Sequence, residues 1–156
     1  MKYVETLVTF SEIPGRISLC INISNCPCHC PGCHSTHLWQ DIGTELTKEE
    51  LAELINKNAG INTVCFMGGD AEPGQVNLLA GFIRDEFPNL QVGWYSGRDK
   101  IAKEIELKNF DYIKVGPYIQ ERGPLNQKGT NQILYKVNEN LTLDDITDDL
   151  RIYIKV

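Results

Sequence analysis

Ile17-Ser18-Leu19-Cys20-Ile21-Asn22-Ile23-Ser24-Asn25-Cys26-Pro27-Cys28-His29-Cys30-Pro31-Gly32-Cys33 joins two patterns end to end. In the first half Ile17, Leu19, Ile21 and Ile23 alternate with Ser18, Cys20, Asn22 and Ser24. That period of two is the signature of a β-strand. In the second half Cys26, Cys30 and Cys33 stand at the spacing C-x3-C-x2-C. The strand therefore delivers the cysteines at its carboxyl end. Three thiolates can hold an iron–sulfur cluster while leaving one iron without a protein ligand. An iron left open is a place for chemistry, whereas a fully ligated cluster carries electrons or structure.

Working outward, strand and helix patterns alternate as far as residue 115. Thr47-Lys48-Glu49-Glu50 is a capping box that opens a helix with Leu51, Leu54 and Ile55 on one face. Thr63-Val64-Cys65-Phe66-Met67 reads as a buried strand, closed by Gly68-Gly69-Asp70. A second helix starts near Pro73, carries Val76, Leu79, Ala80, Ile83 and Phe87 on one face, and stops at Pro88. Gln91–Tyr95 is the next strand, with Ser96-Gly97 as its turn. Ile101 and Ile105 mark a shorter third helix, and Tyr112–Val115 a further strand ending at Gly116-Pro117. Residues 118–130 read as loop, and Ile133–Tyr135 and Arg151–Val156 as late or edge strands.

This alternation predicts an α/β fold with a mostly parallel sheet and right-handed crossovers, one domain over residues 1–156. In such folds the ligand site lies at the carboxyl ends of the strands. The cysteine loop, Gly68-Gly69-Asp70, Ser96-Gly97 and Gly116-Pro117 should then converge.

The composition narrows the classes. Of 156 residues, 42% are hydrophobic and 23% charged, and the net charge is -6, which leaves no basic face for nucleic acid. The Asp144-Asp145 and Asp148-Asp149 patch is read as a solvated turn or helix face. The N-terminus has no signal-peptide layout and no apolar run is long enough to span a bilayer, so a cytoplasmic location is expected. Four of the six cysteines lie between Cys26 and Cys33. In a reducing compartment such crowding points to metal ligation before disulfides. Zinc remains an alternative, with a fourth ligand from Cys28, His29, His34 or His37, although no second ligand pair follows. Cys20 and Cys65 read as small core residues, Cys28 as a bystander, and Trp39 as core packing. No phosphate loop and no Ser/His/Asp arrangement is visible.

Several stretches together resemble one family. C-x3-C-x2-C after the first strand resembles the radical S-adenosylmethionine (SAM) enzymes. The closer resemblance is to the small activating proteins of anaerobic (class III) ribonucleoside-triphosphate reductase. Pro14-Gly15-Arg16 resembles that family's Gly-Pro-Gly-x-Arg segment, with Ile13 in place of the first glycine. Cys30-Pro31-Gly32-Cys33-His34, Trp39, Gly68-Gly69-Asp70, Tyr95-Ser96-Gly97 and Gly129-Thr130-Asn131-Gln132 resemble its other motifs in order. The chain departs at Val115, where the family has an acidic residue, and at the extra Cys28.

The resemblance implies an incomplete, open (βα) barrel. It implies a [4Fe-4S] cluster on Cys26, Cys30 and Cys33, with S-adenosyl-L-methionine on the fourth iron. Gly68, Gly69 and Asp70 would meet the methionine ammonium, and Ser96 and Gly97 its carboxylate. The implied activity makes the protein a glycyl-radical-enzyme activase, an oxidoreductase. It would cleave S-adenosylmethionine into methionine and a 5′-deoxyadenosyl radical that generates a glycyl radical on the reductase. A low-potential donor such as flavodoxin or ferredoxin would supply the electron. An activase for another glycyl radical enzyme, of the formate-lyase type, and a non-catalytic cysteine-rich metal-binding module are the alternatives.

Overall fold

A computed structural model describes residues 1–153. One sheet runs through it, built from β1 (Lys2–Thr9), β2 (Ser18–Ile23), β3 (Thr44–Glu45), β4 (Thr63–Met67), β5 (Gln91–Tyr95), β6 (Tyr112–Val115), β7 (Ile133–Val137) and β8 (Leu143–Asp145). The helices are α1 (Lys48–Lys57), α2 (Pro73–Glu86) and α3 (Thr147–Tyr153). The strand order is β3-β1-β2-β4-β5-β6-β7-β8, so the sheet is open, with edges at β3 and β8.

The centre matches the expected βαβ logic. β2, β4, β5 and β6 are parallel, with Cys20 opposite Cys65 and Phe66 opposite Trp94. The flanks do not. β1 pairs antiparallel with both β2 and β3, and β7 antiparallel with both β6 and β8. The expectation of a mostly parallel sheet is therefore corrected to a mixed one. The physical reason is connection: residues 10–17 and 116–132 return the chain beside its neighbour without a crossover helix, and antiparallel pairing needs none.

The helix expected around Ile101 and Ile105 is absent. Residues 96–106 run as turns, followed by a single 3-10 turn at Leu107–Asn109. Asn77 of α2 explains this locally, since its Oδ1 accepts the Glu106 N–H at 2.9 Å and the Asn109 amide at 3.1 Å. Backbone that would otherwise close a helical turn is tied sideways to α2 instead. The strand expected at Arg151–Val156 is also corrected: Arg151, Ile152 and Tyr153 belong to α3, and residues 154–156 lie outside the described part. β1, β3 and β8 add to the strands that the sequence pattern marks.

Thr47 caps α1 as the sequence implies, its Oγ1 accepting the Glu50 N–H at 3.1 Å. The box closes in that direction only, because the Glu50 carboxylate takes the Tyr3 hydroxyl instead. α1 buries Leu51 and Ile55, and α2 buries Val76, Leu79, Ala80 and Ile83. Against them lie Leu19, Ile21, Ile23, Val64, Phe66, Val92, Trp94, Ile113 and Val115 from the sheet. The other face holds Cys20, Cys65 and Tyr112 of the same strands and Leu134 of β7. It is covered by Ile13, Leu125 and Leu150 from the long loops and α3. Cys20 and Cys65 are thus core residues, as expected. Asp144, Asp145, Asp148 and Asp149 are all exposed.

Candidate metal centre at the carboxyl ends of the parallel strands

The loop that follows β2 is folded back on itself. Its entry is pinned by Asn25 N–H to Gln40 O and Cys26 N–H to Leu38 O, both 2.9 Å. The imidazole of His29 stacks on Trp39 with ring centres 4.7 Å apart. Trp39 is half-buried over the loop, which corrects the expectation that it packs in the core. Cys33 N–H returns to Cys30 O at 3.0 Å. With Pro31 second and Gly32 third at φ +76, Cys30–Cys33 is a type II turn, and that geometry asks for the glycine. Cys26, Cys28, Cys30 and Cys33 are all free and half-buried. The Cys33 sulfur accepts the Ser35 N–H at 3.4 Å.

Beneath this loop the strand-end residues form one network. Gly68 N–H donates to Tyr95 O at 2.9 Å, and Gly68 O accepts the Trp94 indole N–H at 2.8 Å, which stitches the end of β4 to β5. Gly69 has φ +91, and a Cβ there would come within 2.5 Å of Val76. This turn drives Asp70 inward, where it is 3% exposed. Its Oδ1 accepts the Ser96 hydroxyl at 2.5 Å and its Oδ2 accepts the Gly97 N–H at 2.9 Å. Arg98 donates to the Asp70 carbonyl at 3.2 Å. The Ser96 hydroxyl hydrogen is therefore spent on Asp70 in this structure. The Cys28 sulfur lies 3.8 Å from Asp70 Oδ2, which brings the loop down onto the strand ends.

Lys114 completes the network, and sequence reasoning missed it. It is 7% exposed at the end of β6 and donates to Ser96 O at 3.1 Å and Gly116 O at 2.7 Å. The available signal was a lysine in phase with Tyr112 inside an otherwise apolar strand. Burial draws its pKa down to about 8, against the pull of Asp70 and of the Cys30, Cys28 and Cys26 thiols. Among those thiols, a hydrogen bond from Cys28 brings Cys26 down to about 6, and the same bond holds Cys28 up.

On the side of the sheet away from α1 and α2, a cavity of about 400 Å³ opens beside the loop. Its walls include His34, Met67, Tyr95, Tyr118, Gln132 and Glu12. That size suits a nucleoside-sized ligand. Burial raises the Glu12 carboxyl above its ordinary range, with a hydrogen bond from Ser11 opposing the shift. Gln132 is buried against the Gly123 carbonyl, and Asn131 donates to Pro117 O at 2.9 Å.

Among the described residues, no group of three or more His, Cys, Asp or Glu side chains is gathered tightly enough for one metal ion. A cluster makes a different demand, because each cysteine binds a different iron. The donor set here is soft thiolate sulfur, which suits iron–sulfur ligation. A family model described as a 4Fe-4S single cluster domain matches residues 14–140. The chain belongs to the 4Fe-4S single cluster domain family. No curated protein and no solved structure matches it. The 4Fe-4S single cluster domain match takes in the cysteine loop and every strand end described above, and leaves out β1, β8 and α3. An iron–sulfur cofactor follows from membership of that family. No helix among the described residues is long and apolar enough to cross a membrane.

Proposed function

We propose that this iron–sulfur protein is a radical SAM activase that generates a glycyl radical on an anaerobic ribonucleoside-triphosphate reductase. The observation that carries the reading is the gathering of Cys28, Asp70, Ser96, Gly97 and Lys114 at the carboxyl ends of β4, β5 and β6. The sequence motifs are dispersed, and on this reading they form one site. The fold is then read as an incomplete (βα) barrel with antiparallel flanks.

Cys26, Cys30 and Cys33 would hold the cluster, with the Pro31-Gly32 turn setting the reach between the last two. The backbone at Gly68 and Gly69 would lie near the ligand's amino-acid end, beside Gly97, against which the Cys28 sulfur packs in this structure. Asp70, fixed by Ser96 and Gly97, supplies negative charge for the ammonium. Lys114 supplies the opposite charge beneath the thiolates. The cavity walled by Tyr95, Tyr118 and Gln132 would take the nucleoside and exclude water from it. When bound, the cluster and S-adenosylmethionine supply the chemistry: one-electron cleavage to methionine and a 5′-deoxyadenosyl radical. The proposed end of the reaction would be removal of a hydrogen atom from a glycine Cα of the partner.

The test is anaerobic reconstitution with iron and sulfide, then reduction by dithionite or a flavodoxin in the presence of S-adenosylmethionine. Formation of 5′-deoxyadenosine is the expected result, and its absence removes the enzyme reading. Adding the reductase should then give the electron paramagnetic resonance doublet of a glycyl radical. Cleavage without that doublet would redirect the search to another glycyl radical enzyme.

A further inference from the structure

The two indoles of the chain are treated unequally. Trp94 donates its N–H to Gly68 O at 2.8 Å. The Trp39 Nε1–H is also buried, yet no acceptor among the described residues takes it. A buried indole N–H normally has a partner, because an unmet donor out of water is costly. The stacked imidazole of His29 is not that partner. The two rings lie 19° from parallel, and an indole N–H points along the plane of its own ring, not across it.

The position of the ring indicates which acceptor suits it. Trp39 ends the short helical turn Thr36–Trp39, and that turn is tied to the cysteine loop at three points. Before it, the Ser35 N–H meets the Cys33 sulfur at 3.4 Å, and Ser35 O accepts the Leu38 N–H at 3.0 Å. Beside it, Leu38 O and Gln40 O hold the N–H groups of Cys26 and Asn25, both at 2.9 Å. Across it, the ring stacks on His29, the neighbour of Cys30, at 4.7 Å. The indole is thus fastened to, or next to, all three cysteines of the proposed ligand set. The cofactor that the family brings to such cysteines carries sulfide and thiolate sulfurs, and these accept hydrogen bonds.

We propose that Trp39 tunes the cluster, its indole N–H donating a hydrogen bond to a cluster sulfur and raising the reduction potential. The reduced cluster carries one more negative charge, so a donor to sulfur stabilises it more than the oxidised form. No covalent bond is made or broken, and no proton changes owner. Such a bond needs the iron–sulfur cofactor alone and is independent of S-adenosylmethionine cleavage.

The experiment uses the full chain, reconstituted anaerobically with iron and sulfide, as wild type and as Trp39→Phe. Phenylalanine keeps an aromatic ring to stack on His29 and removes the N–H. Potentials are read by electron paramagnetic resonance during a reductive titration. At the wild-type midpoint, where half the clusters are reduced, Trp39→Phe should hold severalfold fewer in the reduced state. Wild type labelled with heavy nitrogen at the indole is then studied by electron–nuclear double resonance on the reduced cluster. It should show a nitrogen coupling and a proton coupling that disappears in deuterium oxide, and Trp39→Phe should lose both. An unchanged midpoint in Trp39→Phe overturns the tuning and leaves the cofactor standing. A shifted midpoint without the couplings overturns the hydrogen bond, since exclusion of water by the ring would then set the potential. A nitrogen coupling that persists in Trp39→Phe belongs to Trp94 and overturns the assignment to Trp39. If Trp39→Phe takes up no cluster, the couplings in wild type decide. If wild type itself assembles no [4Fe-4S] cluster, the proposal falls with the cofactor. None of these readouts depends on 5′-deoxyadenosine.

Discussion

The two faces of the central strands are made from alternate residues of the same few segments, and they do different work. Toward α1 and α2 the strands present Leu19, Ile21, Val64, Phe66, Val92, Trp94 and Ile113, an apolar layer with no titratable group. On the other face they present Cys20, Cys65, Met67, Tyr95, Tyr112 and Lys114, roofed by loops and bordering the cavity. A period of two lets one strand invest in packing and in chemistry at once. The comparison teaches that stability and function should separate by residue parity here, and each expectation below tests that separation.

The largest effect falls on the cysteine loop. Cys26→Ala, Cys30→Ala and Cys33→Ala should each abolish the proposed cluster-dependent cleavage of S-adenosylmethionine, measured as 5′-deoxyadenosine. The metal-free protein should keep its urea midpoint to within about 0.5 kcal/mol, as for substitutions outside the core. Loss of folding in these variants would break the separation from the chemical side. Phe66→Ala tests it from the other side. Phe66 is fully buried between the helices and the sheet, and its truncation should cost about 3–5 kcal/mol by denaturant titration. If Phe66→Ala unfolds at the wild-type midpoint, the helix-side layer is not the source of stability.

Gly69→Ala crosses the divide. Its φ of +91 and the 2.5 Å approach to Val76 should make it cost about 1–3 kcal/mol, and the same shift should move Asp70 and lower affinity for the proposed ligand, S-adenosylmethionine. Affinity falling with no change in midpoint would show that this turn serves the site alone. The smallest effect concerns Lys114. Its pKa falls from 10.5 to about 8 on folding, so between those values the unfolded chain binds more protons than the folded one. Stability of the metal-free protein should therefore rise with pH across that window. Lys114→Met should flatten the rise, checked by comparing urea midpoints at the two ends. An unchanged slope would mean that Lys114 is not held at a depressed pKa.

Much of the centre was legible from the chain. Parallel strands buried on both faces leave apolar runs such as Thr63–Met67, and helices leave caps such as Thr47. The flanks were harder to read for a physical reason. β1 has no clean alternation because the adjacent Leu7 and Val8 are both exposed rather than packed. β8 is three residues with two aspartates. The false helix at residues 101–105 came from two isoleucines at helical spacing, and only the tertiary bond to Asn77 tells them apart from a turn. In the site, the glycine motifs and cysteines announce themselves by type. Lys114 and the contact of Cys28 with Asp70 depend on which strand ends meet, and that is a property of the sheet order.

The stack of His29 on Trp39 gives the molecule a built-in optical gauge. The chain has two tryptophans, and Trp94 is fully buried and hydrogen-bonded to Gly68. Trp39 alone lies on the cysteine loop, within 4.7 Å of an imidazole two residues from Cys26's neighbour Pro27. Its emission should respond to loop rearrangement and be quenched by the absorbing iron centre, while Trp94, buried at the strand ends, should respond to loading but not to movement of the loop. Loading of the loop could then be followed by fluorescence in real time, with no label attached.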